Sequence, residues 1–204
     1  SHQEPVTTLR RRVDRMLHAA ALAIPDVLLL QPQVHADERG FFTECFHAQR
    51  FAQITGFAGA FVQDNFSSSR PGVLRGLHYQ AQRPQGKLVR VTRGAVFDVA
   101  VDMRAHSPTY GRWVGQELSA HNQYQMWIPP GFAHGLLALE RGADVVYKVT
   151  DYYVPELQRC IAWDDPTLAI AWPLKAPPLL SARDRAAPPW PGLPSACGTI
   201  CHGS

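Results

Sequence analysis

The feature that most limits what this chain can become is a run of short, apolar-alternating segments from residue 61 to about residue 163. These are Phe61–Asn65, Val73–Gln80, Lys87–Thr92, Ala95–Asp102, Trp113–Leu118, Gln125–Ile128, Gly135–Leu139, Asp144–Val149 and Cys160–Trp163. Arg70-Pro-Gly72, Arg93-Gly94, Ser107-Pro108, Pro129-Pro-Gly131, Arg141-Gly142 and Asp165-Pro166 punctuate them as turn signals. Strand-period patterning at this spacing, with almost no helical periodicity, predicts an all-β sandwich or barrel, and a jelly roll within that class.

Upstream, Ile24 to Pro32 reads as the first strand, and Val34 to Phe46 follows with a turn at Asp37–Gly40. His47–Thr55 has short-helix character and is stopped by Gly56. Residues 1–23 read as an extension. Within it, Thr8–Ala23 would form a helix of poor apolar periodicity, Ser1-His2 is compatible with a vector-derived remnant, and Met16 with a native start. After Trp172-Pro173 the prolines leave room for one short helix, around Leu180–Ala187, with Ser181 as N-cap. The expected organisation is an extension (1–23), one β domain with short peripheral helices (24–187) and a Pro/Gly-rich tail (188–204).

Composition closes off several functions. The chain of 204 residues is 46% hydrophobic and 18% charged, with a formal net charge of +3, which fits a globular domain with a sizeable core. Its Lys and Arg are dispersed apart from Arg10-Arg11-Arg12, so no basic stripe with interleaved aromatics points to nucleic acid. The mild positive bias suits an anionic small molecule. Four cysteines (Cys45, Cys160, Cys197, Cys201) show no disulfide-framework spacing, which favours a reduced, cytoplasmic setting. The basic, Ala-rich stretch before Leu30 mimics a signal peptide, but Pro25 and Asp26 interrupt it, and no run reaches the roughly 18 apolar residues of a membrane span.

Chemistry concentrates in Arg75-Gly-Leu-His-Tyr-Gln80 and Gln85-Gly-Lys-Leu-Val-Arg90. If these pair as a hairpin across Ala81–Gly86, then Arg75, His78 and Lys87 share one neighbourhood. A base, a cation and an anion-seeking guanidinium suit proton abstraction beside a carbonyl, the imidazole taking the proton and the ammonium stabilising the enolate. A surface hairpin with ordinary polar residues fits this stretch equally well.

Metal-binding jelly rolls of the cupin type (double-stranded β-helices) hold their ion on a His-x-His pair, a carboxylate and a later histidine. Pro129-Pro-Gly-Phe-Ala-His134 is similar to the later half, but the residue two after His78 is Gln80, and no Glu follows at the matching distance. Two imidazoles alone make a poor site, so chemistry without metal or other cofactor is expected. The tail sequence Cys197-x-x-x-Cys201-His202 has ligand types but a Gly-rich terminal setting.

Further strings, taken together and in order, carry a resemblance: Glu38-Arg-Gly-Phe-Phe42, Gln63-Asp-Asn65, Leu74–Gln80, Gln85–Arg90, Val96–Asp102, Ser107–Gly111, Trp127–Gly135, Tyr147–Tyr153, Trp163–Pro166 and Leu180–Asp184. They resemble the dTDP-4-dehydrorhamnose 3,5-epimerases, metal-free cupin isomerases of dTDP-L-rhamnose synthesis, over roughly residues 24–187. The resemblance implies a dTDP-4-dehydro-6-deoxy-D-glucose substrate, whose C4 ketone acidifies the protons on C3 and C5. It implies His78 as base, Asp184 as the carboxylate that orients it, Lys87 at the enolate oxygen, and Tyr147 as the acid on the opposite face. For binding it implies Arg75 and His134 at the sugar, Gln63 and Asn65 at the nucleotide, Arg183 near the pyrophosphate and Tyr152 against thymine, with Glu156 among the substrate contacts. Arg39, Phe42 and Glu44 would reach the neighbouring site of a homodimer.

Read without that resemblance, Tyr147 is a sheet-filling aromatic, Asp184 an exposed helix residue and His134 a core histidine satisfied by backbone. A relative that inverts only C3 or only C5 shares the same motifs. A sugar-binding cupin without turnover and a metal-dependent cupin oxygenase are the readings from other classes.

Overall fold

The computed structural model describes residues 12–13 and 15–192. In chain order the strands are β1 (Arg12–Val13), β2 (Leu17–Ala21), β3 (Leu28–Pro32), β4 (Val34–Asp37), β5 (Gly40–Thr43), β6 (Gln63–Ser69), β7 (Leu74–Gln80), β8 (Lys87–Asp102), β9 (Trp113–Ser119), β10 (Gln125–Ile128), β11 (Phe132–Val149) and β12 (Gln158–Cys160). Two short helices, α1 (Ala48–Thr55) and α2 (Ala182–Arg185), flank them. The all-β jelly roll expected from the alternation is the fold observed.

Three expectations are corrected. The helix over Thr8–Ala23 gives way, in its described part, to β2, which pairs antiparallel with β3 and extends the sheet; a segment with poor helical periodicity gains more from an open sheet edge than from a free helix. The strands Lys87–Thr92 and Ala95–Asp102 are one strand, as are Gly135–Leu139 and Asp144–Val149. Finally, β7 and β8 do not form a hairpin: β11 lies between them and pairs with both.

The merged strands explain the architecture. The first half of β8 pairs with β10 and with the second half of β11, which in turn pairs with β6. The second half of β8 pairs with β9 and with the first half of β11, which pairs with β7. Two sheets therefore share β8 and β11, which bend from one sheet into the other. The bend sits at Arg93-Gly94 and Arg141-Gly142, where the register shifts between Ala138 and Ala143. Gly94 and Gly142 have φ of 71° and 67°, and a Cβ on Gly94 would lie 1.9 Å from the carbonyl oxygen of Gly142. What reads as turn punctuation is a paired bulge that corners both strands.

Alternation sorts the apolar residues. Val89, Val91 and Val96 of β8, Met126 and Ile128 of β10, and Leu136 and Val145 of β11 form the core between the sheets. Leu77, Val99, Val101, Ala133 and Ile161 point out of the second sheet, under the segment that carries Leu168 and Trp172. On the first sheet α1 buries Phe51 and Ile54, with the Phe51 and Trp127 rings 5.0 Å apart edge to face. Its start is capped by His47, which accepts the Arg50 amide, and Gly56 ends it in the left-handed conformation.

Gly94→Ala should place its methyl against the Gly142 carbonyl and force a left-handed residue at once. The expected loss is about 2–4 kcal/mol, read as a lower urea midpoint with an unchanged slope. A midpoint equal to the parent protein's would show that the corner does not depend on this glycine.

Candidate active site

Strand parity selects which side chains enter the roll. On β8, Lys87 has the parity of the core residues Val89 and Val91, and past the corner at Gly94 Asp98 has that of Val96. On β11, His134 shares the parity of Leu136, and past the bulge Tyr147 shares that of Val145. Cross-strand partners share a face, so Asn65 opposite Tyr147, Gln63 opposite Val149 and His78 opposite His134 point inward as well. Arg75 and His78 are three apart and would lie on opposite faces of a regular strand. The register shift on β7 puts Arg75 opposite Leu136, and thereby on the same face as His78. Four strands (β6, β7, β8 and β11) thus supply polar groups to one end of an otherwise apolar interior.

Two histidine–aspartate pairs stand side by side there. His78 Nε2 donates to Asp184 Oδ1 at 2.5 Å, which leaves the lone pair of Nδ1 to act as a base. Asp184 is held by α2, where its amide donates to the Ser181 hydroxyl at 3.0 Å, and its second carboxylate oxygen accepts the Gly76 amide at 3.3 Å. Burial pushes its carboxyl up, but the bonds and charge of His78 and the Gly76 amide outweigh this and hold it below the usual value. An anion so held fixes the imidazole's tautomer and favours the imidazolium once a proton arrives.

In the second pair His134 Nε2 bonds Asp98 Oδ1 at 2.7 Å, and both side chains are buried. Burial depresses the His134 pKa, against the pull of Asp98. Lys87 is buried as well: desolvation pushes its pKa down to about 8, and the charge of Asp98 works in the opposite direction. Asp98 Oδ2 has no hydrogen-bond partner among the described residues. This buried carboxylate therefore serves His134 directly and Lys87 through space. A desolvated ammonium is worth more to a developing anion than a solvated one.

Tyr147 lies against the core with its ring 6.3 Å from that of His134. Burial raises its pKa, partly offset by a hydrogen bond with Asn65 and the charge of Arg75, so the phenol stays protonated and can donate. Gln63 Nε2 donates to Asn65 Oδ1 at 2.9 Å, and Gln63 Oε1 accepts the Tyr153 amide at 3.1 Å. Arg75 Nε donates to the Ser69 hydroxyl at 2.9 Å. At the rim, Arg183 and Tyr153 both donate to Gln158 Oε1 at 2.7 Å. Tyr152 is 57% exposed, and Glu156 is exposed on the turn before β12.

Arg39 and Glu44 are not brought to this site by their own chain. Arg39 sits at the tip of the β4–β5 hairpin and pairs with Asp37, while Glu44 pairs with Arg50. Their neighbours Phe41 and Phe42 are 59% and 70% exposed.

Three residues escaped the motif reading. Asp98 had a signal: a charge at a core position of Val96-Phe-Asp-Val-Ala100 needs a buried partner. Gln80, read only as a missing metal ligand, is itself structural. Its amide donates to the Arg83 and Tyr152 carbonyls and accepts the Val154 amide at 2.7 Å, clamping the segment that carries Tyr152. Cys160 lies directly opposite His78 on β12. Ligand atoms of His78, Cys160 and Asp184 all lie within 4.8 Å of one another. The Cys197-x-x-x-Cys201-His202 ligand set lies outside the described residues.

Comparison with known proteins gives consistent results. The family model described as dTDP-4-dehydrorhamnose 3,5-epimerase matches residues 21–191. A curated protein of that name from Pseudomonas aeruginosa is 57% identical over 169 residues, 83% of this chain and 93% of the relative. A Legionella pneumophila dTDP-6-deoxy-D-glucose-3,5-epimerase, solved in complex with dTDP-4-keto-L-rhamnose, superposes with a TM-score of 0.83 at 52% identity and covers 85% of this chain and 92% of its own. A 3'-monoepimerase from Streptomyces bikiniensis, solved with dTDP-quinovose, superposes with a TM-score of 0.78 at 36% identity, over 83% and 86% of the two chains.

The electrostatics can be checked without substrate. Lys87 Nζ should titrate near pH 8 by heteronuclear NMR. Asp98→Asn removes the one influence that raises it, so the midpoint should move to lower pH; an unmoved midpoint would separate Asp98 from Lys87. Stability follows the same group. The unfolded lysine binds its proton more tightly than the buried one, so Lys87 adds stability as pH rises from about 8 toward 10.5.

Proposed function

The chain belongs to the dTDP-4-dehydrorhamnose 3,5-epimerase family, and on that premise we propose that His78, Asp184, Lys87, Tyr147 and Asp98 carry the epimerisation of dTDP-4-dehydro-6-deoxy-D-glucose to dTDP-4-dehydro-L-rhamnose. The observation that carries this assignment is the 2.5 Å bond from His78 Nε2 to Asp184 Oδ1. His78 Nδ1 takes the proton from C3 or C5, and the electron pair moves toward the C4 oxygen as an enolate. Asp184 keeps Nε2 protonated and stabilises the imidazolium. Lys87, desolvated and charged below about pH 8, faces the oxygen that gains charge. Inversion requires a proton on the face opposite the base, and the un-ionised phenol of Tyr147 supplies it.

The binding roles follow the same placement. Arg75 and His134 hold the sugar, and Gln63 and Asn65 the nucleotide. Arg183 sits beside Tyr153 and Gln158 at the rim, where a guanidinium suits a pyrophosphate. Tyr152 offers an exposed ring to thymine, with Glu156 on the next turn. Arg39 and Glu44 complete the site of a second subunit. The support for this is the pair of exposed phenylalanines on their hairpin, a surface that water disfavours and a partner would cover.

The first test is incubation of the protein with the ketosugar in D2O, mapping label by NMR with a rhamnose-forming reductase as trap. Label at C3 and C5 with dTDP-L-rhamnose formed is expected. Label at C3 alone would make the protein a mono-epimerase, and none would leave a binding module. His78→Ala should lower turnover and exchange by about 10²–10⁴-fold; persistent exchange would move the base elsewhere. Tyr147→Phe should retain exchange while blocking inversion at C5, and equal loss of both would make the tyrosine structural.

The assembly has its own test. Phe42→Asp should shift the protein toward monomer in sedimentation and reduce kcat/KM at least about tenfold, as expected for a buried aromatic anchor. An unchanged dimer with full activity would detach the hairpin from the site.

A further inference from the structure

Cys160 has no part in the chemistry above, yet it sits at the register position opposite His78 and faces the same interior. A histidine nitrogen, a thiol sulfur and a carboxylate oxygen, from His78, Cys160 and Asp184, all lie within 4.8 Å of one another. Three different protein ligands around one point match the three-ligand pattern that zinc takes at open tetrahedral sites. We infer that His78, Cys160 and Asp184 form an inhibitory site for a thiophilic divalent cation of the zinc type, which switches the epimerase off by capturing its base.

The ligand atoms, now within 4.8 Å of one another, have to shift by about 1 Å to enclose a metal. Zinc–nitrogen, zinc–oxygen and zinc–sulfur bonds of about 2.0–2.3 Å put tetrahedral ligand atoms roughly 3.3–3.6 Å apart. The His78–Asp184 contact of 2.5 Å has to open by about 1 Å, while the second Asp184 oxygen stays on the Gly76 amide. The elements are anchored by strand pairing and by the Ser181 cap, so the ligands are gathered before the metal arrives. Sulfur and nitrogen in the set favour zinc over magnesium or calcium. Burial pushes the Cys160 thiol up, and the neighbouring Arg183 guanidinium works against that without cancelling it.

The proton balance shows why binding inhibits. The thiol gives its proton to solvent and binds as thiolate. The imidazole stays neutral, but its proton moves from Nε2, now on the metal, to Nδ1. Zinc, thiolate, carboxylate and neutral imidazole add up to an uncharged centre with a water in the fourth position. Nδ1 then has no lone pair to offer, and the base is lost without any change in fold.

The inhibitory half rests on His78 being the base, so binding and turnover are measured separately. The enzyme is stripped with EDTA in a Cys197→Ser, Cys201→Ser background and titrated with zinc chloride by calorimetry, then with cobalt chloride by absorption. Expected are one zinc per chain, a thiolate-to-cobalt charge-transfer band, and loss of turnover that follows zinc occupancy and is reversed by EDTA. Cys160→Ser should keep metal-free turnover, lose the band and raise the zinc midpoint at least about tenfold, the least that even an outer ligand partner is worth. Absence of binding, or binding indifferent to Cys160→Ser, would overturn the site and leave His78 as base untouched. Cys160-dependent binding with unaltered turnover would overturn the inhibition and the assignment of His78 together.

Discussion

The antiparallel pairing of β8 with β11 is the contact on which everything else hangs. The two strands run together from Phe132 opposite Asp102 to Val149 opposite Lys87, and they are the only two described strands shared by both sheets. Because they turn the corner together at Gly94 and Gly142, each sheet continues into the other without a connecting loop. The core between the sheets and the polar end of the roll are both lined from this pair. Lys87, Asp98, His134 and Tyr147 are carried by it directly, and His78 and Asn65 are placed by pairing against β11.

That arrangement concentrates burial and charge at one place, which stability alone would not favour. An ammonium, two imidazoles and the carboxylate of Asp98 occupy positions that strand parity would otherwise give to Val or Leu, and α2 adds the carboxylate of Asp184. Taking charges out of water is unfavourable unless they are paired. Here the pairing is complete for His78 with Asp184 but shared for Asp98, which bonds His134 and only faces Lys87. On the proposed mechanism, a sugar that develops negative oxygen beside Lys87 would supply what the resting site lacks. The site is thus least satisfied where the transition state would be most stabilised.

The same logic distinguishes the two histidines. They sit opposite each other on neighbouring strands, each bonded through Nε2 to an aspartate, yet only one is open to solvent: His78 is 29% exposed and His134 8%. A half-open imidazole can meet a carbon-bound proton. A buried one, pushed toward its neutral form, is better suited to hold a neutral hydroxyl or carbonyl than to ferry charge.

Much of this was legible in the sequence, and the boundary has a physical origin. Alternation and turn residues determined that the chain is a β roll, that α1 starts at His47 and stops at Gly56, and that α2 is capped by Ser181. Each is a local preference decided within a few residues. Motif order determined the family and nominated His78, Lys87, Tyr147 and Asp184. Locally, Arg93-Gly94 and Arg141-Gly142 could only read as turns, because a paired bulge depends on two glycines 48 residues apart meeting across strands. The hairpin expected between β7 and β8 failed for the same reason: a strand from 50 residues downstream takes the place between them. Only the tertiary structure decided that Asp98 stands behind His134 and Lys87 and that Cys160 faces His78. Those are relations between strands, fixed by register and burial, and no single stretch of sequence carries them.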